Sequence, residues 1–302
     1  MASPLAPTFG IWLVALFLQS ILMGMGLLQV YLYFLWYHKD GWGIKGTVIT
    51  ITALEIAQSG IFFSATYTLL IDGFGNFPGL NVIPWQATTQ LLLLYISTFV
   101  AQSYFSYCIY ILQKRKLWFP LLIVIMSLVG LSGGIAQTIL TLKIVHFTEL
   151  PSTSWATNTQ AALSLACDIF ITGGLCWRLN TSRTGIQSTN DLLNFLIMTA
   201  INRGVLTMVT AALNMILFLS KPGTFYFMFA LLLSGKLYMN SMLAMLNTRK
   251  HAHAISQFGK TTVDHISMGS FSPPTQGGVN VTVTHETMND ELSDRDKSKI
   301  MF

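Results

Sequence analysis

The chain has 302 residues, of which 52% are hydrophobic and only 10% are charged, and its formal net charge is +5. Ordinary soluble proteins carry roughly 25% charged residues, so the composition excludes that class. It also argues against a nucleic-acid-binding protein, because the excess positive charge lies within residues 1–248, whereas residues 249–302 carry as many acidic as basic side chains.

Long apolar runs account for most of the chain. A helix of about 20 apolar residues crosses the roughly 30 Å hydrocarbon core of a membrane. Runs of that length lie at about 9–37, 47–71, 86–112, 118–142, 157–178, 194–219 and 224–247. They predict an all-α bundle of seven transmembrane helices over residues 1–249, in the plasma membrane or an endomembrane.

Tryptophan and the basic residues indicate where these helices end and how they are oriented. All tryptophans lie near the ends of the runs or in loops, as expected of rings that favour the headgroup region. Cytoplasmic loops are enriched in Lys and Arg. One side of the predicted bundle holds Lys39, Lys45, Lys114, Arg115, Lys116, Arg178, Arg183, Arg249 and Lys250, and the other holds Lys143 and Lys221. We therefore predict an N-terminus outside the cytoplasm and a C-terminus inside it.

Residues 250–302 differ in composition from the rest of the chain. They are rich in Ser and Thr and end in a run of mixed charges, "NDELSDRDKSK". This composition is typical of disorder, so we predict a disordered cytoplasmic tail, which leaves room for a cytoplasmic partner.

Four ionisable residues, Glu55, Asp168, Arg203 and Lys236, lie well inside predicted helices. At 1.5 Å of rise per residue, all four are about 12–17 Å from the same end of the bundle. Each would cost roughly 2.5–3.5 kcal/mol if it faced lipid unpaired. We therefore expect them to turn inward and neutralise one another, with Lys236 paired to either Asp168 or Glu55.

Further polar residues share helix faces with these charges. Thr207 and Asn214 follow Arg203 at offsets of four and eleven residues, and Asn240 follows Lys236 at an offset of four. Such offsets place side chains on one face of a helix. We expect these faces to meet in a buried polar layer, our candidate site.

The layer has two interpretations. Polar residues between transmembrane helices often act only in packing, so the ion pairs could be purely structural. Ionisable residues inside membranes also mark sites for ligands, ions or conformational switches. Both remain open on the sequence alone.

Enzymatic activity is not expected. "GLSGG" at 130–134 satisfies the serine-nucleophile pattern and resembles the motif of rhomboid proteases, but a serine nucleophile needs a nearby base. All six histidines lie in loops or the tail. We interpret Gly130 and Gly134 instead as contact points for a neighbouring helix.

No cofactor or metal is expected either. Lys236 resembles the retinal-binding lysine of rhodopsins, but the third span has no acidic counter-ion between Trp85 and Gln113. Glu55 or Asp168, on other helices, would have to serve as the counter-ion instead. His251 and His253 are two residues in a solvated segment, which is weak support for a metal site.

Two functions other than a purely structural role fit this layout. The first is a receptor-like or sensor protein, because seven helices with basic inner loops resemble G-protein-coupled receptors, although the D-R-Y and N-P-x-x-Y motifs are absent. The second is a transporter or channel for a small solute or ion, although such proteins often have broken helices and no proline interrupts these spans. Membrane lipid is the expected partner, with room for an unidentified small-molecule ligand.

Several short motifs resemble a large fungal, mainly basidiomycete, family of membrane proteins. They are "SRTG" at 182–185, "INRG" at 201–204, "GTFYF" at 223–227 and "KLYMNSMLAMLN" at 236–247. The family's core, matched here over about 165–249, is a domain of unknown function. The resemblance implies a seven-helix membrane protein with Arg203, Lys236 and Asn240 inside the motifs, and it implies no activity.

Overall fold

The computed structural model describes residues 5–113, 115–182, 187–221 and 223–267. Its long helices are α1 (Ile11–Trp36), α2 (Trp42–Tyr67), α3 (Trp85–Leu112), α4 (Trp118–Lys143), α5 (Ser154–Thr181), α6 (Gln187–Ser220) and α7 (Tyr226–Ser267). Short helical turns occupy Ala6–Gly10, Thr68–Asp72, Gly79–Asn81 and Phe147–Thr153. These parts of the chain contain no strand, which confirms the predicted all-α class.

Each of the seven helices contains a segment long and apolar enough to cross a membrane. Some helices begin before the apolar runs that predict them: α2 begins at Trp42 and α6 at Gln187. Polar residues can continue a helix into the headgroup region, where backbone groups still meet water or side chains. The orientation of the bundle remains a prediction.

The helices form a bundle in which α3 and α7 lie innermost. Helices that follow each other in the chain pack together, and α1 also packs against α7, which closes the ring. α3 additionally contacts α5 and α7. As a result α3 and α7 are the most buried of the seven spans, and side chains on several faces of these two helices point into protein.

Small residues allow close approach between helices, as the sequence predicts for Gly134. A Cβ atom on Gly134 would lie 2.5 Å from the ring of Tyr95 on α3, whereas one on Gly130 would make an ordinary 3.8 Å contact with Leu163 on α5. The close approach therefore depends on Gly134.

Trp12 lies near the start of α1, but its ring faces the bundle interior. It is fully buried, stacks on Phe62 at 4.8 Å between ring centroids, and donates its Nε1–H to Thr66 Oγ1 at 2.7 Å. Its one polar group thus finds a partner inside the bundle.

The predicted disordered tail also differs in part from the structure. The backbone of α7 continues as a helix to Ser267, beyond the predicted start of disorder at residue 250. The remainder of the tail, 268–302, lies outside the described residues, as do Lys114 and Arg183 of the predicted basic loops.

Candidate functional site

The charged residues inside the bundle are all buried. Glu55, Asp168 and Lys236 have no exposed surface, and Arg203 is 4% exposed. They come from α2, α5, α7 and α6 respectively and are arranged as two ion pairs, Glu55 with Lys236 and Asp168 with Arg203. Each acid is thus neutralised by one base, and no lipid-facing charge is left among these four.

The first pair is tightly hydrogen-bonded. Lys236 Nζ lies 2.5 Å from Glu55 Oε2 and 2.5 Å from the side-chain oxygen of Gln58, and 3.2 Å from the main-chain oxygen of Glu55. A lysine ammonium has three N–H groups, so the Lys236 ammonium has an acceptor for every donor. This saturation compensates for the removal of the charge from water.

A second set of contacts extends this pair to α3. Ser97 donates to the other carboxylate oxygen of Glu55. Gln58 Nε2 donates to Gln90 Oε1 at 2.8 Å. The Glu55–Lys236 network therefore ties together α2, α3 and α7.

Gly235 makes room for the first pair. A Cβ at this position would lie 2.5 Å from Leu94 and 2.9 Å from Glu55 Oε1. The absence of a side chain next to Lys236 is thus what lets α2 and α3 come this close to α7.

The second pair is looser. Arg203 Nη2 lies 3.6 Å from Asp168 Oδ1, beyond the usual hydrogen-bond range. The strong contact to Asp168 comes from Tyr238, whose hydroxyl donates to Oδ2 at 2.6 Å. The Tyr238 hydroxyl also lies 3.1 Å from Ser164 Oγ. Asp168 is therefore held by one tyrosine and faced by one arginine.

Arg203 is the least hydrogen-bonded charge in the bundle. Its guanidinium carbon lies 3.4 Å from the centroid of the Phe105 ring on α3, a cation–π contact. Its three side-chain nitrogens have no hydrogen-bond partner among the described residues. Buried guanidinium N–H groups without acceptors are costly, so this is a point where a polar ligand or water would be stabilised.

The two pairs meet on α7. Lys236 reaches α2, and Tyr238, two residues later, reaches α5. Side chains two residues apart on a helix point in clearly different directions. Any rotation or shift of α7 would therefore disturb both pairs together.

A small polar cavity lies beside the second pair, between α3, α5, α6 and α7. It holds about 30 Å³ and is lined in part by Ser164, Thr207, Asn214 and Tyr238, which is room for a water molecule or two. Asn214 is 4% exposed, and its Oδ1 has no hydrogen-bond partner in the described part of the chain. The cavity therefore offers an unused acceptor together with several hydroxyl groups.

The structure places the predicted site residues in the two ion pairs, along the cavity and, for Asn240, against α1. Lys236 pairs with Glu55, one of its two predicted partners, and Arg203 pairs with Asp168. Thr207 and Asn214 both line the cavity, and the Thr207 side chain also interacts with Asp168.

Asn240 contacts a different helix from the ones that we expected. We expected it to face the other polar stripes, but its Nδ2 donates to the main-chain oxygen of Leu22 on α1 at 2.9 Å, and its Oδ1 accepts from Gln29 at 3.3 Å. Asn240 thus joins α1 to α7, and the shared offset with Lys236 does not bring it into the layer with Arg203. The reason is that α7 is buried on several sides.

Several residues of the site were not predicted from the sequence. They are Gln58, Gln90, Ser97, Phe105 and Tyr238. Glutamines in an apolar run are a signal that could have been used, because an amide inside a membrane needs a partner. Phe105 and Tyr238 give no such signal, since aromatic residues are ordinary in transmembrane helices.

The fold and the interior charges together define the class: an all-α protein with seven apolar helices, as in multi-pass membrane proteins. Residues 164–251 match the model of DUF6534, a family of unknown function, which confirms the expectation of a domain of unknown function near 165–249. No curated protein and no solved structure matches the chain. The matched segment includes Asp168, Arg203 and Lys236, while Glu55 precedes it.

Proposed function

We propose that this protein is a receptor-like or sensor membrane protein, in which α7 and the two ion pairs that it contacts form the switching element. A small polar molecule entering beside Asp168 and Arg203 would shift α7 and change the end of the bundle that carries the basic loops. The observation that supports this most is the contrast between the saturated Lys236 and the poorly hydrogen-bonded Arg203.

The coupling argument is physical. Buried charges must remain paired in every populated state, because an unpaired buried charge costs several kcal/mol. α7 supplies Lys236 to one pair and the Tyr238 hydroxyl that holds Asp168 of the other, so it has few allowed positions rather than a continuous range. Elements with a small number of discrete packings are the ones that conformational switches use.

The cavity gives the ligand class. Its polar lining consists of hydroxyl and amide groups, with Asn214 Oδ1 unused and Thr207, one turn after Arg203, on the same helix. A small molecule with both a hydrogen-bond donor and an acidic or carbonyl oxygen would fit that chemistry. At about 30 Å³ the cavity must widen to admit it, so binding would select a more open state.

A purely structural role is the second candidate, and the Glu55–Lys236 pair favours it. Every donor of Lys236 is used and the network joins three helices, as packing alone would require. In that case no molecule stabilises the protein through the cavity.

The experiment is a thermal-unfolding screen of small polar molecules on the protein in nanodiscs. A ligand at about 100 times its Kd stabilises the folded state by ~2.7 kcal/mol, which raises the midpoint. Asn214→Leu should abolish the shift. Asn158→Leu is the matched control, because Asn158 on α5 also has an unpartnered oxygen but does not line the cavity.

Three outcomes separate the candidates. A shift lost only in Asn214→Leu supports the sensor. No shift with any molecule, together with unaltered helix packing in Asn214→Leu, supports the structural role. Flux of a solute into vesicles that is lost in Lys236→Ala would identify a transporter and overturn the proposal.

A further inference from the structure

A large groove lies on the flank of the bundle, between the start of α2 and the second half of α3. It encloses about 620 Å³ and is lined by residues including Gly43, Ile44, Thr47, Phe99 and Tyr104. Pockets for small molecules commonly measure about 300–1,000 Å³. This groove is therefore large enough for a lipid chain, and it is separate from the polar layer.

Glycine at position 43 keeps the groove open. A Cβ there would meet no atom within 4 Å, so the space beside it is unfilled. On the α3 side of the groove, Ser103 Oγ has no hydrogen-bond partner among the described residues. The lining is thus mostly apolar with one unused hydroxyl.

The chemistry at the groove's end is positive. α2 begins after Gly41 without a side-chain cap and without an acidic residue in its first turn. Unpaired N–H groups at a helix start attract anions. Lys45, in the same first turns, lies 5.7 Å from the ring of Trp42, which is 84% exposed.

The Lys45 ammonium is only partly used. Lys45 uses one N–H on the main-chain oxygen of His38 at 2.6 Å, which leaves two for another partner. The acidic neighbour, Asp40, accepts a hydrogen bond from Tyr33 on α1 at 3.1 Å. The exposed Trp42 ring is typical of a side chain at the headgroup level.

We propose that this groove binds an anionic phospholipid, with an acyl chain along α2 and α3 and the phosphate at the start of α2. Charge complementarity selects this occupant, because a basic helix start offers nothing to an uncharged sterol or to the apolar face of a second copy. The basic loops of this end also favour a leaflet rich in anionic lipid.

The test is photolabelling of the full-length protein in nanodiscs with phosphatidylserine that carries a diazirine in one acyl chain. Labelled peptides should map to α2 and α3 in the wild type. Gly43→Leu fills the groove and should remove most of this labelling. Gly60→Leu is the matched control: it lies on the same helix, its Cβ also meets nothing within 4 Å, and it does not line the groove.

Headgroup recognition is tested by competition. Phosphatidylserine should displace the probe more strongly than phosphatidylcholine, and Lys45→Gln should weaken displacement about fivefold, as expected for one lysine near an anionic surface. Lys143→Gln, at the other end of the bundle, should leave it unchanged. Equal displacement by the two lipids, displacement by a sterol alone, or a dimer that protects the groove would each overturn the proposal.

Discussion

Lys236 on α7 and Glu55 on α2 form a fully buried ion pair at 2.5 Å between Nζ and Oε2, although 181 residues separate them in the chain. The pair explains how a cation is accommodated halfway along an apolar helix. Its charge is neutralised by one carboxylate, and its remaining donors are taken by Gln58 and a main-chain oxygen. The Lys236 ammonium thus donates all its hydrogen bonds to acceptors on α2, and it is fully buried from lipid.

Tyr238→Phe should destabilise the protein through Asp168. The substitution removes the hydroxyl that donates to Oδ2 and leaves a buried carboxylate oxygen without its best partner. Hydrogen bonds to charged groups are worth about 1.5–3 kcal/mol, so we expect a loss of that size in the free energy of unfolding in mixed micelles. Tyr226→Phe, on the same helix but 37% exposed, should change little; an equal loss in both variants would refute the role of the Asp168 contact.

Phe105→Leu should weaken the hold on Arg203. The ring lies 3.4 Å from the guanidinium carbon, and a desolvated cation–π contact is worth about 2 kcal/mol. The measurement is a double-mutant cycle with Arg203→Met, in which the effect of Phe105→Leu should shrink once the cation is gone. If Phe105→Leu costs the same in both backgrounds, the ring acts only by filling space.

Two adjacent glycines of α4 should respond in opposite ways to alanine. Gly134→Ala places a methyl group 2.5 Å from Tyr95, and overpacking of this kind costs about 1–3 kcal/mol. Gly133→Ala meets Gln160 only at an ordinary 3.6 Å and should stabilise by up to ~1 kcal/mol through helix propensity. The midpoints of thermal unfolding compare them directly, and a change of the same sign in both would show that close approach at Gly134 is unimportant.

The number of helices and the inward burial of the charges follow from the sequence. A helix that spans a membrane needs about 20 apolar residues, and an unpaired charge that faces lipid costs free energy. The pairing does not follow. Chain order makes α5 and α6 neighbours, but it does not say how each helix is rotated about its own axis. Lys236 therefore had two acceptable partners, and only the packed structure selects Glu55.

Asn240 shows why helical periodicity fails for α7. Periodicity identifies a single polar face when one face is buried and the other meets lipid. α7 contacts α1, α2, α3 and α6, so each of its faces meets protein and can hold a polar group. Lys236 and Asn240 consequently serve different neighbours despite a spacing of four residues, and Tyr238 between them serves a third.

The central claim is that Glu55 pairs with Lys236 and Asp168 pairs with Arg203, and double-mutant cycles of unfolding free energy test it most directly. Loss of one partner from a buried pair should cost about 3–5 kcal/mol, so Lys236→Met alone should destabilise more than Lys236→Met combined with Glu55→Gln. The mixed combination of Glu55→Gln with Arg203→Met should show a much smaller coupling, because these residues belong to different pairs. Additive effects for Glu55 and Lys236, or a coupling between Glu55 and Arg203 as large as that between Glu55 and Lys236, would contradict the account.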